Sequence, residues 1–262
     1  MKDENAKKYV TLFLIFTFGI PLICVLLMKY VSLFQSGTLY FIMYGIEAMT
    51  PTLSALIVIS IWGKSDMRRT FLRKCYSDNI RKSYLLLAVL LPITVLVITK
   101  LTSLIFMDTT PFITSISVKK LIIILWALIA EELGWRGFLQ DKLNEHFGYI
   151  ITPIVLGCIW ALWHYHFFLL GSTSAPLILF LLACIVESYS YYWITKLSKG
   201  NVIPASIWHF TGNLCFNLFL INPEHNQGSI LPYVLFVVYS TAMAAGISIW
   251  GIHSMQNNHN IL

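Results

Sequence analysis

The chain of 262 residues is 57% hydrophobic and only 11% charged, less than half the roughly 25% charge of an ordinary soluble domain. A mean hydropathy of +0.73 is too high for a water-soluble globule, which must still show water a mostly polar surface, so the outer face meets lipid. The 15% aromatic content excludes disorder, and five scattered cysteines without a Cys-x-x-Cys spacing exclude a disulfide framework.

The first apolar stretch, 9–28, holds twenty residues without a charge, the length a helix needs to cross about 30 Å of hydrocarbon. It exceeds a signal-peptide core and lacks a small-residue cleavage site, so it is read as a span. Seven further spans are predicted over 39–62, 83–107, 119–138, 150–169, 177–195, 201–221 and 230–252. They fill the chain and leave no room for a soluble domain. The expected fold is therefore all-α: one transmembrane domain, 1–262, built as a polytopic integral membrane bundle of about eight helices.

Counting Lys and Arg in alternate loops orients such a bundle. One side carries Lys2, Lys7, Lys8, Lys64, Arg68, Arg69, Arg73, Lys74, Arg81, Lys82, Lys142, Lys196 and Lys199, against Lys29, Lys119 and Lys120 on the other. This split of thirteen to three puts the basic loop 63–82 and both termini in the cytoplasm, with the plasma membrane as the expected location. The net charge of +6 is then a topology signal and not a nucleic-acid footprint. After the fourth span, Leu139, Leu143 and Phe147 recur every four residues, predicting a short amphipathic helix on the cytoplasmic interface. Cys24, Cys158, Cys184 and Cys215 lie in apolar runs and read as small buried residues. Cys75 falls in the basic loop.

An ionisable side chain at mid-membrane costs about 2.5 to 3.5 kcal/mol on insertion scales and demands a partner or a purpose. Three spans break the apolar rule together: the fourth with Glu131, Glu132 and Arg136, the fifth with His164 and His166, the seventh with His209, Asn213 and Asn217. Glu132 and Arg136 are four residues apart and can pair on one helix face. Glu131 is turned by about 100 degrees and has no such local partner, which makes it the candidate general base. His209, Asn213 and Asn217 form one polar stripe, a ready partner for Glu131. Trp160 and His164 share a face, whereas His166 points about 200 degrees away, so one histidine of the two faces the same pocket. A carboxylate with two histidines and an amide supplies a base for water, donors for an oxyanion and possible ligands for a metal. A polar bundle core or a proton pathway uses the same residue types.

These residues resemble a known family. Glu131-Glu132-Leu133-Gly134-Trp135-Arg136 fits the Glu-Glu-x-x-x-Arg motif of the CPBP intramembrane proteases, the CAAX protease and bacteriocin-processing group also called Abi. Trp160-Ala161-Leu162-Trp163-His164 resembles its second motif, an aromatic residue three positions before the one preceding a histidine, with Trp160 where Phe is usual. His209-Phe210-Thr211-Gly212-Asn213 resembles the third, His-x-x-x-Asn. The core of the match spans 119–221.

The resemblance implies an endopeptidase acting on a CAAX-type, bacteriocin or membrane-associated peptide. Glu131 would activate water with help from His164, His209 and Asn213 would steady the oxyanion, and Glu132, Arg136 and Trp160 would support them. The family is often labelled metalloprotease. Zinc would take His164 and His209, but a third ligand would consume Glu131 or break the Glu132–Arg136 pair, so a metal-free reaction is the expectation. The alternatives are a silent immunity or secretion-accessory protein and a proton-coupled carrier. The cavity is expected to open to the cytoplasm or laterally to lipid. Glu47, Lys100 and Glu187 match no motif and are expected in structural ion pairs or snorkelling to the interface. At 1.5 Å per residue, Glu131 and His209 lie roughly 12 Å from their cytoplasmic span ends but His164 roughly 21 Å, so a shared site requires a tilt or a shifted boundary.

Overall fold

The computed structural model describes residues 4–62, 65–106 and 108–259. Lys2, Gly63, Lys64 and Met107, which enter the span and charge readings above, lie outside them. Every regular element among the described residues is helical, as a chain solvated by lipid requires when its backbone groups must pair within their own segment. The helices are α1 (Glu4–Tyr30), α2 (Gly37–Ala48), α3 (Thr50–Trp62), α4 (Ser65–Tyr76), α5 (Lys82–Ile105), α6 (Val118–Ala130), α7 (Gln140–Trp163), α8 (Tyr165–Leu169), α9 (Leu177–Leu197), α10 (Ile203–Leu218) and α11 (Leu231–His259).

Among the described residues five stretches are long and apolar enough to cross a membrane, or six with α2 and α3 taken together, against the eight expected. The shortfall has physical causes. The second expected span is bent by 63° between α2 and α3, where Pro51 enters the first turn of α3. The fourth and fifth lie in one stretch, Val118–Leu169, broken at Glu131, at Gly148 and at His164. Gly148 takes φ 69° and ψ −175°, a conformation that glycine adopts without steric cost. The seventh, α10, has only 16 residues, and its flanks are taken up by Asn201, which accepts from the Ile203 N–H, and by Leu220 at φ 54°.

The 63–82 segment is not a loop throughout. Its residues 65–76 form α4, and Cys75 on that helix is fully buried, beneath Gly137 and Val202. Burial pushes its thiol up to about 12. The short helix predicted after Arg136 is the part of α7 before Gly148, but Leu139 and Leu143 are buried in the bundle and only Phe147 remains exposed. Cys24, Cys184 and Cys215 are buried and Cys158 partly so.

Contacts between loops define two ends of the bundle. At one end Lys74 pairs with Asp141, the Val202 N–H donates to the Cys75 carbonyl at 2.9 Å and Asn201 Nδ2 to the Asp78 carbonyl at 2.7 Å. At the other, Lys29 Nζ donates to the Leu169 carbonyl at 3.1 Å, Thr114 N–H to Leu218 at 2.9 Å, and Ser174 Oγ to Glu224 Oε2 at 3.0 Å. The densest core lies toward the first end, where Trp135, Trp163, Trp193 and Trp208 are all buried. Gly134 permits this density, since a Cβ there would stand 2.3 Å from the Pro51 backbone.

Candidate active site

Helix α6 stops at Ala130, and Glu131 leaves it with φ −123° and ψ −43°. The chain then continues as a π-helical turn, Leu133–Leu139, every residue of which is buried. Such wide turns shift side chains out of α-helical register, and here the break brings both glutamates to one imidazole. His209, on α10, donates from Nδ1 to Glu132 Oε1 at 2.8 Å, and its Nε2 lies 3.8 Å from Glu131 Oε1. The 100 degree separation expected for adjacent helical residues therefore does not apply to this pair.

The predicted Glu132–Arg136 ion pair is present at 3.2 Å with both side chains fully buried. The arginine is held on further sides as well. Nη2 donates to Ser188 Oγ at 3.5 Å, and the guanidinium lies 4.6 Å from the Trp160 ring and 4.3 Å from the Tyr191 ring, in cation–π range. Neutralising a buried charge by a partner and several neutral contacts is what makes its burial tolerable.

Glu131 is not without local partners. Oε2 accepts from Trp160 Nε1 at 2.8 Å and from Trp135 Nε1 at 3.3 Å. Trp135 stands four residues after Glu131 and so on the same face, a signal present in the sequence. At position 160, where the resemblance leads one to expect Phe, the indole N–H adds a hydrogen bond that phenylalanine cannot make. Rings connect the rest: Trp160 lies 5.6 Å from His164 and 5.8 Å from His209, centroid to centroid. The depth conflict is thereby removed, since these side chains meet in one place, with α6 ending at Ala130 and residues 133–139 continuing as a π-helical turn in place of a straight span.

His164 caps α7, with Nδ1 2.7 Å from the Trp160 carbonyl. His166 faces away, as expected, and lies 3.5 Å from Glu47 with both side chains fully buried. Lys100 is paired with Asp108 at 2.8 Å. Glu187 accepts from Trp208 Nε1 at 3.1 Å. Asn217 is spent on its own helix, donating to the Asn213 carbonyl at 2.8 Å.

Glu131, Trp160, His164, Glu187, His209 and Asn213 line one cavity of about 830 Å³. Its walls run to Lys120, Thr173 and Asn222, which belong to the end of the bundle remote from α4. As metal ligands the residues fit poorly. Among the described residues no three His, Cys, Asp or Glu side chains are grouped as ligands, and both His209 nitrogens face carboxylates that already hold other partners.

Residues 113–215 match the family model described as type II CAAX prenyl endopeptidase Rce1-like, a segment that contains all three motifs. A curated relative, CAAX prenyl protease 2 of Methanococcus maripaludis, is 27% identical over 113 residues. That match covers 40% of this chain and 42% of the relative, less than half the length of either. The motifs, the family model and the relative agree on residues 113–215, which are similar to the type II CAAX prenyl endopeptidases.

Proposed function

We propose that the chain is an intramembrane endopeptidase in which Glu131 activates the attacking water. The observation that carries this reading is the meeting of Glu131, His164, His209 and Asn213 on the wall of one cavity. Water hydrolyses an amide slowly because hydroxide must form and the tetrahedral oxyanion must be stabilised. Glu131 Oε1 takes the water proton as the oxygen attacks the carbonyl carbon, and returns it to the leaving amine. His164, whose Nδ1–H is directed at the Trp160 carbonyl, presents Nε2 as an acceptor that orients the water. His209 Nδ1–H donates to Glu132; as the imidazolium, with Glu131 as a second carboxylate beside it, it also carries a proton on Nε2, and that proton and the Asn213 amide receive the oxyanion. Glu132, Arg136, Trp135 and Trp160 position these groups. The reaction runs without a resident metal, which the grouping of the donors supports.

The substrate is a peptide or a segment of a membrane protein, and the partner of the outer face is the bilayer. The end of the bundle bearing α4 faces the cytoplasm, with both termini of this chain on that side of the plasma membrane; the thirteen-to-three distribution of cations supports the orientation.

The test is Glu131→Gln, purified in detergent and shown to be folded, with cleaved peptides mapped by mass spectrometry. Loss of the base lowers the rate by about 10²- to 10⁴-fold, whereas cleavage at the parental rate overturns the assignment. The parent enzyme, dialysed against chelator in the same assay, retains activity; loss restored by zinc overturns the metal-free reading.

A further inference from the structure

We infer that Glu187 forms a subsite for a basic side chain, lysine or arginine, of the peptide held in the cavity, and thereby selects which bond of that peptide lies against Glu131. The inference rests on the protease reading for the cut itself, whereas recognition of a cation at Glu187 stands apart from that chemistry.

Glu187 is the exception among the acids inside the bundle. Glu47 has His166 at 3.5 Å, Asp108 has Lys100 at 2.8 Å, Glu131 has His209 at 3.8 Å and Glu132 has Arg136 at 3.2 Å. Among the described residues no basic side chain forms an ion pair with Glu187, contrary to the pairing or snorkelling expected of it. Snorkelling is excluded by its place at the middle of α9, ten residues from either end, with about 15 Å of helix on each side. What holds the carboxyl is neutral. Oε2 accepts from Trp208 Nε1 at 3.1 Å, while the Ser240 hydroxyl stands beside it without completing a hydrogen bond, and Oε1 has no partner. Arg136 is already engaged by Glu132, Ser188 and the rings of Trp160 and Tyr191. An acceptor for the Trp208 indole alone needs no acid, since an amide or a hydroxyl accepts the same bond without a charge. An acid placed at this depth demands a partner or a purpose.

The missing cation has room to arrive. Glu187, Trp208 and Ser240 all line the cavity. On α11, Tyr233, Phe236, Ser240 and Met243 recur at intervals of three and four and present one largely apolar face to it. The methylene stem of a lysine or arginine packs on such a wall while its charged head seeks a polar partner, and aromatic faces beside the head add to its attraction. A carboxylate receiving that head in low-dielectric surroundings makes a charge-assisted hydrogen bond, the strong kind.

The subsite lies close to the reacting groups. Trp208, the donor to Glu187, immediately precedes His209 in the chain. Tyr191, one turn after Glu187 on α9, has its ring 5.9 Å from that of His209 and 5.6 Å from that of Trp160. One helical turn is about 5.4 Å, and an extended peptide rises about 3.3 Å per residue. A basic side chain seated on Glu187 therefore belongs to a residue within about two of the bond held at Glu131.

Binding, read apart from cleavage, tests the subsite. The full chain carrying Glu131→Gln, purified in detergent, is titrated with fluorescent octapeptides of leucine and alanine, capped at both ends. Each holds a single lysine, moved through the positions in turn, or norleucine in its place. Glu131→Gln removes the other carboxylate at the site, so that it cannot be the source of a preference. At one position or two adjacent ones, lysine is expected to bind about ten- to a hundredfold more tightly than norleucine, the range of a hydrogen bond to a charged group. Adding Glu187→Gln keeps an acceptor for Trp208 and should abolish the difference; Glu187→Met serves in its place should the amide not accumulate. Equal binding of lysine and norleucine at every position overturns the inference before any change at Glu187 is made, and so does a lysine preference that survives the loss of that carboxylate. A preference that depends on Glu187, with no octapeptide cleaved by the parent chain, counts against the protease reading and leaves the subsite standing.

Discussion

The two halves of the bundle handle buried polar groups in opposite ways. Toward α4 the interior is filled: Gly134 sits where a Cβ would meet the Pro51 backbone at 2.3 Å, Gly137 where one would meet Cys75 Sγ at 3.0 Å, and Arg136 is enclosed by two aromatic rings, a carboxylate and a hydroxyl. Toward the other end the helices stand apart around some 830 Å³, with alanines on the wall where larger side chains would close it. Glu131 and His209 occupy the boundary. Dense packing is concentrated where charges have to be held in one geometry, and space is left where a ligand must fit.

The largest effect expected from breaking the filled half comes from Arg136→Leu. Glu132 would keep only His209 as a basic partner, and removing one member of a buried pair costs about 3 to 5 kcal/mol. The variant should accumulate poorly and melt far below the parent in detergent; a melting temperature close to the parental one would mean that the pair does not hold this half together.

A smaller contrast sharpens the comparison directly. Gly134→Ala forces a methyl group against backbone and should cost about 1 to 3 kcal/mol, the usual range for overpacking. Ala127→Leu adds more volume on the cavity wall, yet should cost less than about 1 kcal/mol because it expands into open space. It should nonetheless suppress cleavage by shortening the substrate path. Equal thermal destabilisation of the two variants would show that the halves do not differ in packing.

The smallest effect concerns the charge at the end of the bundle remote from α4. Burial alone would raise the Asp108 carboxyl, but Lys100, Thr110 and Ser103 donate to it and hold it down at about 2. The unfolded value is about 3.9, so Asp108 contributes its full stability above about pH 4 and loses it as the pH falls toward 2. Thermal midpoints of the parent should drop over that interval by more than those of Asp108→Asn. Parallel curves would remove Asp108 as the cause.

The all-helical membrane character and the three polar-bearing segments were legible in the sequence because lipid punishes misplaced polar groups, so each exception stands out; the division into eight straight spans was not, since breaks at Glu131 and Gly148 leave five or six among the described residues. The Glu132–Arg136 pair followed from helical spacing alone, and the separation of His164 from His166 followed from the angle between them. What the residues concealed was where helical spacing stops. Nothing in Glu131-Glu132-Leu133-Gly134 announces a π-helical turn, yet that turn brings both glutamates to His209. Helix α4 was hidden for a different reason: its charge density suggested a loop, although Met67, Phe71 and Cys75 recur every four residues and mark one apolar face. The orientation of the cavity depends on which loops meet at which end, a property of tertiary contacts that no local pattern contains.

The two indoles beside Glu131 divide its carboxylate unequally. An ionised carboxylate offers about four lone-pair sites over two oxygens, and both tryptophan N–H groups fall on Oε2. That oxygen is crowded with donors, whereas Oε1 has His209 Nε2 beside it at the longer distance of 3.8 Å. A proton arriving at this side chain therefore has one address, because on Oε2 it would have to displace an indole hydrogen. Phenylalanine in place of Trp160 would leave the second oxygen with the longer bond from Trp135 alone and make the two sites more nearly equivalent. In the proposed reaction, the side of the carboxylate that would take the proton is selected by the two indoles, groups that themselves never titrate.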